Sequence, residues 1–339
     1  MVDGKHTGRS WAWRSVLAVL LAATGCSSSG GAPATSSDAG TSPALDGSTR
    51  ALDAGAARHD GSTRPLDAGA ARHDGGAVVD GAASHDGAAS NADAGVLDGG
   101  WVLSFSDEFN GADGSAPDPA KWVYTSIGGT PTGPGWGVEN DTPDADVVSN
   151  GNLVITTTQA ADGTVYSGAI DTKGKFEQAY GRFEARIKVA MKPGSWSAFW
   201  LMGDTNGQPW PTCGEIDVVE TVDSAPKNAY ATVHSGNTTN AAQNTSTGGI
   251  YTIPTGTMGD AYHLYAVEWA PDSLAFYVDE NLYETVTMAT LTTGELWAFD
   301  HPFYVILNYE VGGSWAGPPD PTTFPSEMLV DYVRVYTHN

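Results

Sequence analysis

Residues 101–339 predict an all-β domain, a sandwich or jelly roll, and three observations carry the prediction. Short runs of alternating apolar and polar residues recur, clusters of Gly, Pro, Asn and Asp separate them, and no convincing helical period of any length appears. Within 182–189, Phe183, Ala185, Ile187 and Val189 alternate with Arg182, Glu184, Arg186 and Lys188, the pattern of a strand with one buried face. Residues 263–269 and 274–278 read as two strands joined at Ala270-Pro271-Asp272-Ser273. A second turn at Asp279, Glu280 and Asn281 leads into a strand at 282–288, and a strand at 329–336 ends the chain. About 240 residues is ample for one large core.

Upstream of residue 101 the composition changes sharply. Residues 27–100 contain no Trp, Tyr, Phe, Glu, Lys or Cys and consist mainly of Ala, Gly, Asp, Ser and Thr, so they cannot bury enough apolar surface to offset chain entropy. They carry a near-exact duplication, STRALDAGAARHDG from Ser48 and STRPLDAGAARHDG from Ser62, and read as a flexible spacer. Before them, Lys5, Arg9 and Arg14 precede the apolar run 16–23, too short to cross a bilayer and matching an export signal. That run ends in Ala23-Thr24-Gly25-Cys26, which resembles the lipobox of bacterial lipoproteins and implies lipidation at Cys26. Three segments follow: an export signal at 1–26, a tether at 27–100 and a folded domain at 101–339. The expected location is outside the cell, on a lipid anchor in the cell envelope, or secreted without one if Cys26 is unmodified.

Charge narrows the partners. Residues 101–339 hold 29 acidic and 9 basic side chains, a surface that repels nucleic acid, anionic lipid and sulfated polysaccharide and favours a neutral ligand. Contact with a membrane is expected only through the lipid anchor. One cysteine, Cys213, remains in the domain, so no internal disulfide is possible there; without a His or Asn motif beside it, it reads as a small packing residue. Nine Trp in the domain exceed what packing usually needs, and some are expected to line a binding surface.

Chemistry concentrates in Glu215-Ile216-Asp217-Val218-Val219-Glu220. A regular strand would point Glu215 and Asp217 to one face and Glu220 to the other. One extra residue in a β-bulge between Asp217 and Glu220 would restore the parity and put three carboxylates on one face. Such a row is costly, because like charges a few ångströms apart raise one another's pKa. Retaining glycosidases need a pair of carboxyl groups about 5–5.5 Å apart, one nucleophilic and one protonated. By itself the motif suits either that pair or a solvated acidic strand edge.

Its surroundings separate the two readings. With FSDEFNG (105–111), YGRFEARIK (180–188), SWSAFWLMG (195–203), AVEWAPDSLAFYVD (266–279), PFYVILNYEVGGSW (302–315) and VDYVRVY (330–336), the domain resembles glycoside hydrolase family 16 in its bulged, laminarinase-like form. The resemblance implies a concanavalin A-like jelly roll of two curved antiparallel sheets with substrate in the concave groove. It implies endo-hydrolysis of β-1,3-glucan with retention by a monomer, Glu215 as nucleophile, Glu220 as acid and base, and Asp217 tuning Glu215. Mixed-linkage glucanase and agarase-like galactanase activities are the alternatives within the family, and a non-catalytic glucan-binding module is the alternative outside enzymes.

Sugar-stacking roles follow by the same resemblance for Trp196 and Trp200, with Trp136 and Trp315 in Gly-rich loops next. His234 matches a cleft-facing His, and Arg186 and Asn308 sit in matching segments as candidates for contact with sugar hydroxyls. Catalysis is expected to need no cofactor, while Glu108, Gly151 and Asp331 occupy positions that in the family hold a structural calcium. Three departures bear on subsites: Gly137-Val138-Glu139-Asn140-Asp141 after Trp136, Ser197 where Pro is usual, and Tyr309-Glu310.

Overall fold

A computed structural model describes residues 96–97, 100–127, 137–204 and 207–338. Trp136, Cys26, the export segment and nearly all of the tether lie outside these residues. Among the described residues, eighteen strands run in chain order. The first nine are β1 Val96–Leu97, β2 Trp101–Asp107, β3 Val123–Tyr124, β4 Asn140–Asp141, β5 Asp146–Ser149, β6 Asn152–Gln159, β7 Val165–Ser167, β8 Ala169–Asp171 and β9 Gly181–Lys188. The second nine are β10 Ser195–Met202, β11 Glu215–Val222, β12 Asn228–Gly236, β13 Asn244–Thr252, β14 His263–Ala270, β15 Ser273–Val278, β16 Asn281–Thr287, β17 Tyr304–Val311 and β18 Ser326–His338. Among the described residues a single α-helical turn, α1, spans Gly313–Ala316, and 3-10 turns lie at Pro143–Ala145 and Pro321–Thr323.

These strands form the two sheets of a jelly roll. One has seven strands in the order β13-β12-β11-β10-β17-β8-β3. The other follows β16-β15-β14-β9-β18-β6-β7-β4, with β2 on β18 and β5 on β6. Pairing is antiparallel throughout except between β4 and β7. The core fills the space between the sheets: Phe199, Leu201, Ile216, Val233, Val305 and Leu307 come from the seven-stranded side, and Leu153, Phe183, Ile187, Tyr265, Val267 and Val335 from the other.

Period-two alternation places these side chains, as expected for β9, where Phe183, Ala185 and Ile187 are fully buried. The opposite face of β9 is less open than alternation suggests. Arg182 is buried there by ion pairs to Glu184, Glu268 and Glu280 and by the Tyr277 ring. The turn at Asp279 and Glu280 is present, with both residues at positive φ. The last strand is longer than predicted: β18 pairs with β6 through Ser326–Val330, with β9 from Leu329 onward, and with β2 through its final residues.

Candidate active site

On the seven-stranded sheet the face away from the core carries the predicted motif, and β11 is irregular where the carboxylates require it. Asp217 pairs with Thr232 and Glu220 with Tyr230, so that two residues of β11, Val218 and Val219, stand against Ala231 alone on β12. Across β10 the same step appears, since Phe199 meets Val219 while Trp200 meets Asp217. Val218 is therefore the extra residue. Val218 and Val219 both enter the core, and Glu215, Asp217 and Glu220 all line one open cleft of about 250 Å³.

Each carboxylate has its own partner. Trp210 Nε1 donates to Glu215 Oε2 at 2.7 Å, and Trp196 Nε1 donates to Glu220 Oε1 at 3.0 Å. Asp217 Oδ2 lies 3.3 Å from His234 Nε2, and His234 Nδ1 faces the Asn244 amide, 3.2 Å from Oδ1. His234 stands opposite Glu215 across β11 and β12, which puts its ring among the acids.

Burial, then the Asp217 charge, pushes the Glu215 carboxyl up to about 8, while His234 and the Trp210 hydrogen bond pull it back. The same two causes raise Glu220 well above the usual carboxylate range, and Glu215 adds to them. For His234 burial opposes the charge, but the Asp217 hydrogen bond and the charges of Glu215, Asp217 and Glu220 outweigh it and lift the imidazole to about 10. The cluster thus binds protons more tightly than free carboxyls do, while the His234 charge favours the ionised form of the acids around it, an arrangement in which one carboxyl can donate a proton while another, ionised, attacks.

Glu215, Asp217 and His234 are also the one group of three metal-ligating side chains within mutual reach among the described residues, with ligand atoms inside 4.8 Å. Their contacts with one another and with Trp210 account for this closeness without an ion.

Most of the predicted sugar contacts converge here, with differences. Trp196, Trp200 and Asn308 line the cleft. Trp196 is nearly buried, packed on Val222 and Ala316 and edge-on to Trp315, so its indole props Glu220 as much as it offers a platform. Trp200 Nε1 donates to Asn308 Oδ1 at 2.8 Å. Trp315, on α1, lies beside the cleft with 36% of its surface exposed and its ring edge also against Tyr230.

Arg186 is a correction. It belongs to β9 in the other sheet, where it pairs with Asp331 at 2.6 Å and stacks over the Tyr262 ring, away from the cleft. Alternation along β9 says that Arg186 points out of the core but not that its sheet lacks the groove.

The residues of the calcium expectation have other partners. Arg334 engages both oxygens of Glu108 at 2.8 Å, Asp331 is held by Arg186, and Gly151 is a positive-φ turn residue between β5 and β6. Calcium affinity follows the charge that its oxygen ligands present, and both carboxylates are matched here by arginines.

Trp210 escaped the sequence reading; it lies in the loop just before β11, and its proximity to Glu215 in the chain was the available signal. Glu310, one of the departures noted in the sequence, lines the cleft from β17. Of the other departures, Ser197 is buried and its Oγ accepts the Ala190 N–H, so it serves the core side. Tyr309 is likewise buried, its hydroxyl on Ser326 Oγ. Cys213 is fully buried against Met202, with its thiol pushed up to about 11 by burial.

A carboxylate trio braced by indoles on the open face of a jelly roll defines a glycoside hydrolase. Comparison with known proteins agrees: the profile described as glycosyl hydrolases family 16 matches residues 136–334, and the chain belongs to that family. A beta-glucanase of Rhodothermus marinus is 37% identical over 258 residues, covering 70% of this chain and 85% of the relative. A keratan-sulfate endo-1,4-beta-galactosidase of Sphingobacterium multivorum is 36% identical, covering 70% of this chain and 55% of that protein. Among solved structures, the laminarinase catalytic domain of Thermotoga maritima aligns with a TM-score of 0.62 at 36% identity, covering 70% of this chain and 99% of that domain.

Proposed function

We propose that the enzyme cuts β-1,3-glucan internally, by double displacement with retention, and that the observation carrying this reading is the Val218 bulge that turns Glu220 to the face of Glu215. In the first step Glu215 attacks the anomeric carbon while Glu220 protonates the departing oxygen; in the second, Glu220 takes a proton from water, which displaces Glu215. Asp217, between them, orients Glu215 and with His234 holds the local charge. The Rhodothermus relative and the Thermotoga domain support the glucan assignment.

A galactan is the second reading, favoured by the similarity to the keratan-sulfate galactosidase. The net charge of the domain disfavours a sulfated chain at the groove. A binding-only role would leave the braced trio without a purpose. We also propose that lipid attachment at Cys26 and the 27–100 tether hold the enzyme at the cell envelope.

Product analysis on laminarin, lichenan and agarose tests the assignment. Laminarin is expected to be cleaved to oligosaccharides, and Glu215→Gln to lose at least about 10³-fold in kcat. Unchanged cleavage by the variant would remove Glu215 as nucleophile; cleavage of agarose alone would replace the glucan reading with the galactan one.

A further inference from the structure

Double displacement leaves Glu310 without a task, although it lines the same cleft as the three carboxylates and stands across from Trp196 on the neighbouring strand. The residue is 4% exposed, and only one of its oxygens is engaged. Asn308 Nδ2 donates to Oε1 at 3.2 Å, while Oε2 has no hydrogen-bond partner among the described residues. Buried carboxyl oxygens are ordinarily paired, and one left unpaired at a binding cleft calls for an explanation.

Asn308 beside it is already committed in part: its Oδ1 takes the Trp200 indole N–H, which turns its Nδ2 toward Glu310, leaving one acceptor site and one N–H on the amide. On this side of the cleft the carboxyl oxygen with no partner at all belongs to Glu310. Its strand is separated from β11 by β10 alone, and two strand spacings amount to roughly 10 Å, further than one sugar ring extends. Glu139, reaching β17 through the Val311 N–H, adds a second acid beside it and no cation.

We propose that Glu310 is a specificity-determining residue, its carboxyl group binding a hydroxyl of a glucosyl ring that lies over β10 and β17, one ring removed from the bond being cut. The nature of that ring rests on the β-glucanase reading. A hydroxyl both donates and accepts, so it complements the carboxyl in either protonation state, whereas a sulfate or uronate would meet only acids there.

The test compares wild type, Glu310→Ala and Glu310→Gln on laminari-oligosaccharides of increasing length, with thermal unfolding of each variant as a check on folding. Glu310→Ala is expected to lower kcat/KM roughly 10- to 100-fold on chains long enough to cover β17, chiefly through KM, with the loss shrinking as the chain shortens. Glu310→Gln keeps a hydrogen-bonding group and is expected to stay within about threefold of wild type. An Ala variant within about twofold at every length, or one equally impaired at every length, overturns the proposal. If wild type leaves laminarin intact, the glucan reading falls separately; the ladder is then repeated with fragments of the polysaccharide that it does cut, and the same length dependence decides the role of Glu310.

Discussion

His234 ties the protonation of the whole site together, because its charge acts on both partners of the reaction. Glu215 must be ionised to attack and Glu220 protonated to donate, and the imidazolium lowers the pKa of each. Replacing His234 with Ala removes that charge and lets both carboxyls rise further. Both limbs of the pH profile of kcat/KM are then expected to move upward, by roughly one unit. A profile that stayed in place or moved to lower pH would show that His234 is uncharged in the free enzyme. At this scale the trio was legible in the sequence, since acids at alternating strand positions are costly and seldom arise for packing. Trp210 was not, because a side chain's place in a groove depends on which loop folds over it, and Glu310 stood out only as a departure, because a strand's pattern does not say which of its faces borders the groove. Arg186 shows the same blind spot from the other direction.

A single inserted residue in β11 reconciles a hydrophobic core with three acids on the same strand. Val218 and Val219 both pack inward because of it, and the same six residues in strict alternation would put Glu220 in a core position. Deleting Val218 leaves Glu215, Asp217 and Glu220 in strict alternation, so the variant is expected to keep all three acids on the open face and to retain glucan cleavage, at a cost of about 1–3 kcal/mol for the core side chain lost. Product analysis and thermal unfolding of the variant check this. A variant that is folded but has lost all cleavage would mean that the parity of β11 is set elsewhere. The bulge could be anticipated because only it makes the chemistry and the alternation compatible. The longer course of β18 could not, because its register shifts follow from the three strands that it joins.

Across the whole domain acids outnumber bases by 29 to 9, and the few bases are placed against particular acids. Arg334 with Glu108 and Arg186 with Asp331 pair both acids of the expected calcium site. Tm is accordingly expected to agree within about 1 °C between millimolar calcium and excess chelator, whereas an ion bound only by the native state would raise it. A calcium-dependent rise of several degrees would reinstate the metal. The all-β class and most of the core strands were readable from alternation and turn residues, while the pairing of distant strands was not, since period-two patterns carry no record of which strands meet. Lying between β9 and β6 and also carrying β2, β18 is both the last strand of the domain to leave the ribosome and the one that joins the sheet's segments. Synthesis therefore outruns folding: the growing chain has most of its core residues but no complete surface on which to assemble them until the final stretch emerges.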